Sequence, residues 1–134
     1  MIRAYDKTYL EDAMLNLAVA LDYGSIACAG GIDEFYDRML AGNVIRQFEK
    51  GNPKYVSGLS GIELGKKIIE STGGRARDYN YVLDDRSAIF WTGWVLAYLQ
   101  WYTNVPFESL NAKGIDVHRV MDMYPTFHEA DISK

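Results

Sequence analysis

Apolar positions along the chain recur with a helical period almost from end to end. Leu10, Met14, Leu17 and Leu21 fall at i, i+4, i+7 and i+11, one face of a helix. Thr8-Tyr9-Leu10-Glu11 reads as a capping box, in which each end side chain satisfies a backbone N–H of the first turn, so a first helix is predicted from about Tyr9 into the twenties. Gly24 offers a stop. A single helical glycine costs only about 1 kcal/mol relative to alanine, however, and continuation to Ala29, just ahead of Gly30-Gly31, is the preferred reading. Asp33 then suits the N-cap of a short helix to Ala41, and Asn43 that of a helix from Val44 to Lys50, halted by Gly51, Asn52 and Pro53. A second capping box, Ser60-Gly61-Ile62-Glu63, has Leu59 and Leu64 placed as its hydrophobic staple and predicts a helix from Gly61 to Ser71. That helix turns Ile62, Leu64, Ile68 and Ile69 inward and Lys66 and Lys67 outward.

Residues Arg75 to Asp85 form a polar connection containing Tyr79, Tyr81 and Val82. From Arg86 to Thr103, Phe90, Trp94, Ala97 and Trp101 make one stripe and Trp91, Val95, Tyr98 and Tyr102 the next, so apolar surface covers more than half of the helix. This predicts a central helix. Pro106 suits the first turn of a helix through Ala112 ended by Gly114, and Asp116 caps another from Val117 to Met123, which Pro125 ends. Thr126-Phe127-His128-Glu129 reads as a third capping box with five residues left after it, so either the last helix is one or two turns or the chain is truncated at its C-terminus. The fold expected is all-α: one domain over residues 1–134, a bundle of about five to seven helices wrapped around residues 86–103.

Composition narrows the function classes. With 134 residues, 49% of them hydrophobic, the chain can build one core and has little room for two. Its net charge of −4 argues against a polyanion binder and makes nucleic acid an unlikely ligand. The most apolar run, Ile89 to Leu99, is about half of the ~20 residues that a membrane span requires, so no membrane association is expected. Met1 to Asp12 lacks the apolar stretch of a signal peptide, and the single Cys28 allows no internal disulfide. A reducing, cytoplasmic location is the expectation.

Catalytic and metal-binding patterns are weak. His118 and Asp122 stand at i, i+4, and His128, Glu129 and Asp131 lie close in sequence, but there is no H-E-x-x-H and no C-x-x-C. Helix capping and a solvated acidic terminus account for these residues, and neither a metal nor another cofactor is expected. Ser60 lacks the G-x-S-x-G context of a nucleophile elbow and is more simply an N-cap. Arg119 and His118 are adjacent, hence point in different directions, unlike the spaced pair of a helical ribonuclease. The glycine-rich stretch from Gly51 to Gly61 leads into a helix N-terminus without G-K-[ST], which excludes a nucleotide P-loop. Within it Asn52, Lys54, Tyr55 and Ser57 are the candidate binding residues. The helix pair over 106–123 has the order of a helix-turn-helix, but its second helix brings Asp116 and Asp122 with His118 and Arg119. The strongest anomaly is aromatic: ten Tyr, five Phe and three Trp, with Tyr36, Tyr55, Tyr79, Tyr81, Tyr98, Tyr102 and Tyr124 spread over most elements. Tyrosine carries a polar tip on an apolar body and is enriched at protein interfaces, which favours a binding module.

Three stretches carry a resemblance: Phe48 to Gly65 (FEKGNPKYVSGLSGIELG), Trp91 to Thr103 (WTGWVLAYLQWYT) and Met123 to Lys134 (MYPTFHEADISK). With Tyr9 to Asp22 they resemble an uncharacterised family of small cytoplasmic helical proteins of gut-dwelling Gram-positive bacteria, whose members run a little beyond Lys134. The resemblance implies a neighbourhood that includes an ADP-ribosyltransferase-like protein, hence a toxin–antitoxin-like setting, and implies no catalytic residue. The expected function is a non-enzymatic intracellular protein-interaction module, antitoxin-like or regulatory, with a protein partner and with homo-oligomers open. The alternatives are a small enzyme or ligand-binding protein using residues 52–60, and a DNA-binding regulator using residues 106–123. An interaction module should gather exposed tyrosine and apolar side chains into one patch of several hundred Å².

Overall fold

The protein's structure, a computed structural model, describes residues 2–129. A 3-10 turn at Lys7–Tyr9 leads into α1 (Leu10–Ala27), followed by α2 (Gly31–Ala41) and α3 (Val44–Glu49). A π-helical turn at Lys54–Gly58 precedes α4 (Gly61–Ser71); then come α5 (Ala88–Thr103), α6 (Phe107–Ala112), α7 (Val117–Met121) and α8 (Tyr124–Phe127). No strand occurs among the described residues, so the fold is all-α.

Among the described residues there are more helices than the five to seven expected, and Pro125 lies in the first turn of the last one instead of following its predecessor as a stop. It sits in the first turn of α8, where its missing N–H leaves no helical bond unmade, and α7 has already ended at Met121. Thr126 therefore lies inside α8 and is no cap. The other half of that C-terminal reading, residues 130–134 with Asp131, lies outside the described residues.

Other boundaries moved for equally local reasons. Asp6 accepts from both the backbone N and the hydroxyl of Thr8, each at 2.9 Å, so Thr8 closes the 3-10 turn and the predicted box with Glu11 does not form. Asp33 falls within the first turn of α2, whose N-cap is Gly30, and Asn43 caps α3 in position but without a side-chain bond. The Ser60–Glu63 box forms as expected: Ser60 Oγ accepts from Glu63 N at 3.1 Å, and Glu63 Oε1 accepts from Ser60 N at 2.9 Å. Ser87 caps α5 by accepting from Ile89 N and Phe90 N, which leaves Arg86 just outside the helix.

α1 continues through Gly24 because the ring of Phe35 on α2 covers that position. A Cβ there would stand 2.1 Å from Phe35 Cδ1. Small residues make α1 a second axis of the molecule. Ala13, Ala18, Ala20 and Ala27 are fully buried, and α1 packs against α2, the π-helical turn, α4 and α5. At the crossing with α5 the backbones nearly touch: a Cβ on Gly93 would meet Leu17 O at 2.7 Å and Ala18 Cα at 2.8 Å. α5 in turn packs against α1, α6, α7 and α8. The centre expected of residues 86–103 is thus shared, since bulky rings hold neighbours away where alanines admit them. Buried side chains from Leu10 to Val120 join in one core cluster.

The polar connection between α4 and α5 is held by distant partners. Asp22, only 8% exposed, accepts from Tyr81 Oη at 2.7 Å and Ser87 Oγ at 2.9 Å. Tyr79 Oη donates to Tyr23 O at 2.9 Å and its ring stacks on Tyr23 at 5.5 Å, while Arg77 N donates to Ala27 O. Burial raises the Tyr79 phenol to about 12 and pushes Tyr81 higher still, so both remain donors at any physiological pH.

Candidate functional site

On the outer side of α5 several aromatic side chains lie together at least partly open to solvent. The inner side is taken by Phe90, Gly93, Leu96, Ala97 and Gln100, all buried. That leaves Trp94, Tyr98 and Tyr102, spaced by four residues, along the margin facing the start of α1. With Trp101 they form one wall of a groove of about 430 Å³ whose other wall is Leu10 and Met14 on α1. Arg3 and Lys7 stand at its rim, and no carboxylate among the described residues lines it.

The rings hold one another in place. Tyr98 and Tyr102, four residues apart and so one turn of α5 from each other, stack at 5.7 Å, and Tyr98 meets Trp101 obliquely at 5.9 Å.

The N-terminal segment closes the end of the groove. Ala4 N donates to Trp101 O at 3.0 Å and the indole N–H of Trp101 donates to Tyr5 O at 2.8 Å. Arg3 donates to Tyr102 O at 2.9 Å, and its guanidinium lies 3.7 Å from the centroid of the Tyr102 ring, a cation–π contact. Tyr102 remains 39% exposed. Farther along α5, Trp91 meets Tyr124 edge-on at 5.8 Å, and Tyr124 stacks on His128 at 4.3 Å.

The residues singled out in the glycine-rich stretch are brought together, but mostly to bond one another. Asn52 Oδ1 accepts from Lys54 N at 3.1 Å, and Asn52 Nδ2 donates to Gln47 Oε1 at 3.3 Å. Ser57 Oγ donates to Pro53 O, and Lys54 Nζ lies 5.7 Å from the centroid of its neighbour Tyr55. Asn16 on α1 pins the turn by donating to Val56 O at 2.9 Å. Asn52, Lys54, Tyr55 and Ser57 line neither the aromatic groove nor a second depression among α3, α5 and α6. The α4 N-terminus beyond them is crowded, because Gly61 is buried against Val19 and Asn16 O.

The helix pair α6 and α7 buries Phe107, Leu110, Val117 and Val120 and turns His118 and Arg119 outward beside Asp122. His118 pairs with Asp33 on α2, and this hydrogen bond raises the imidazole above its ordinary range. Among the described residues no three His, Cys, Asp or Glu side chains gather to hold a metal ion; His128 faces Glu129 alone at 3.9 Å. Cys28 is buried, and burial lifts its thiol to about 11, which makes it a poor nucleophile. Among the described residues no helix is long and apolar enough to cross a membrane.

Of the tyrosines expected at an interface, Tyr98 and Tyr102 line the groove, whereas Tyr36 is buried and Tyr79 and Tyr81 pin the connection before α5. Sequence reading missed Arg3 and Lys7, whose place depends on contacts across almost a hundred residues of chain. No known protein family, curated protein or solved structure matches the chain.

Proposed function

We propose that the protein is a non-enzymatic interaction module that seats an apolar segment of a partner protein, flanked by acidic residues, in the groove between α1 and α5. The observation that carries this reading is the groove itself: Tyr102 exposed, Trp94 and Tyr98 half-buried and Trp101 buried behind them, beside Arg3 and Lys7. Trp, Tyr and Arg are the side chains that most often dominate binding energy at protein interfaces, Trp and Tyr because they bury much area at little entropic cost. Lys7 places an exposed cation at the rim of a chain whose net charge is −4, so the local charge favours an anionic flank against the trend of the whole surface. The alternatives draw less support. The Asn52 and Ser57 side chains of the 52–60 turn are spent on internal bonds, and the 106–123 helix pair presents Glu108, Asp116 and Asp122 where phosphates would have to approach.

The test is capture of partners by the purified protein, beginning with the ADP-ribosyltransferase-like protein that the family resemblance implies. Wild type and a Lys54→Ala/Tyr55→Ala variant are expected to retain the same protein, and Tyr98→Ala/Tyr102→Ala to lose it. Lys7→Glu should weaken its binding about tenfold through repulsion of the acidic flank. Capture that survives the groove variant, or fails only in the turn variant, overturns the proposal. Self-association that the groove variant abolishes would assign the groove to a second copy instead.

A further inference from the structure

The turn that leads from Tyr81 into α5 projects two apolar side chains. Asp22 on α1 holds both of its ends, accepting from Tyr81 Oη at 2.7 Å and from Ser87 Oγ at 2.9 Å. Between these anchors Ser87 N donates to Asp84 O at 3.1 Å and Arg86 N to Asp84 Oδ1 at 3.0 Å, which closes the chain on itself. Val82 and Leu83 are left 79% and 55% exposed by this arrangement. A lone exposed apolar residue needs no explanation, but an adjacent pair held outward by a pinned turn is preorganised to be covered by another surface. Asp84 and Asp85 follow directly, both exposed, against the single guanidinium of Arg86. Arg86 stands 4.0 Å from Asp84, and Asp85 faces solvent.

The turn thus carries an apolar pair with a negative flank, which is the pattern the aromatic groove favours: aromatic and aliphatic walls, an exposed Lys7 at the rim and no carboxylate among the described residues in the lining. We propose that Val82 and Leu83 of one copy of this chain seat between Leu10, Met14, Trp94 and Tyr98 of a second copy, with Asp85 facing Lys7. This contact rests on the reading of the groove as the seat of an apolar segment with an acidic flank, and it identifies that segment. A chain does not fill its own groove. At about 1.5 Å of rise per residue, Asp22 lies about 12 Å along α1 from Met14 and about 18 Å from Leu10, and the turn is tied to Asp22 at both ends. Turn and groove are different surfaces of one molecule, so the contact is head-to-tail, and every added copy leaves one turn and one groove open until a ring closes.

The experiment is analytical ultracentrifugation of the full chain from about 10 µM to about 1 mM, the range in which so small a contact is populated. The average mass of wild type is expected to climb with concentration. Val82→Ser/Leu83→Ser and Tyr98→Ala/Tyr102→Ala should each stay monomeric. Their equimolar mixture should form a one-to-one dimer and nothing larger, because the first supplies only a groove and the second only a turn. Lys7→Glu, an exposed change that leaves the core alone, should weaken association about fivefold, and adding Asp85→Lys to the same chain should restore it. A wild type that is monomeric throughout, a turn variant that associates like wild type, or a mixture that stays monomeric overturns the proposal. So does a double charge variant that associates no better than Lys7→Glu alone. The reading of the groove stands or falls separately, on whether Tyr98→Ala/Tyr102→Ala abolishes partner capture, which does not use residues 82–85.

Discussion

Ser60 and Thr8 look alike in sequence, each a hydroxyl three residues ahead of a glutamate, yet only Ser60 caps a helix. Ser60→Ala should therefore lower stability by about 1 kcal/mol in urea denaturation, while Thr8→Ala leaves the α1 N-terminus unchanged. The two cannot be told apart locally, because Asp6 competes for the Thr8 hydroxyl and backbone. Gly93→Ala places a methyl group against the backbone of α1 at the main helix crossing and should cost about 1–3 kcal/mol, read as a lower urea midpoint. His118 gives the fold a pH response. Its pKa is raised by Asp33, so its stabilisation is full below the ordinary histidine value of about 6.5 and is lost as pH rises through the raised value. Between about pH 6 and about pH 8.5 the wild-type urea midpoint should fall by more than that of His118→Gln.

At the scale of elements, the long helices were legible because a buried face repeats with the helical period. α4 matches its predicted bounds, and α5 differs from its own only at the first turn. The connection over residues 75–85 was not legible, since its order comes from Asp22, Tyr23 and Ala27 far back in the chain. Tyr81→Phe removes one of two donors from a buried carboxylate. It should cost about 1–3 kcal/mol and speed tryptic cleavage at Arg75, Arg77 and Arg86, which mass spectrometry would map. The aromatic groove was half legible. The α5 stripe announced its rings, but burial of Trp101 beneath residues 3–5 and the exposure of Tyr102 depend on which neighbours arrive.

For the whole molecule, the core cluster ties α1 through α7 together, whereas the groove depends on a few bonds between the first residues and the end of α5. Trp101→Phe keeps an aromatic ring and deletes the bond to Tyr5 O. Amide exchange at Ala4 should quicken and partner capture weaken, with exchange in α2 and α4 unaltered. If exchange quickens throughout, Trp101 supports the core and not the groove alone.

Residues 3–5 leave the ribosome long before Trp101 and Tyr102 exist to receive them. During translation at about 5–20 residues per second, the nascent chain therefore spends several seconds without a finished aromatic groove. Under the proposed role, a partner would engage only chains whose synthesis has passed α5.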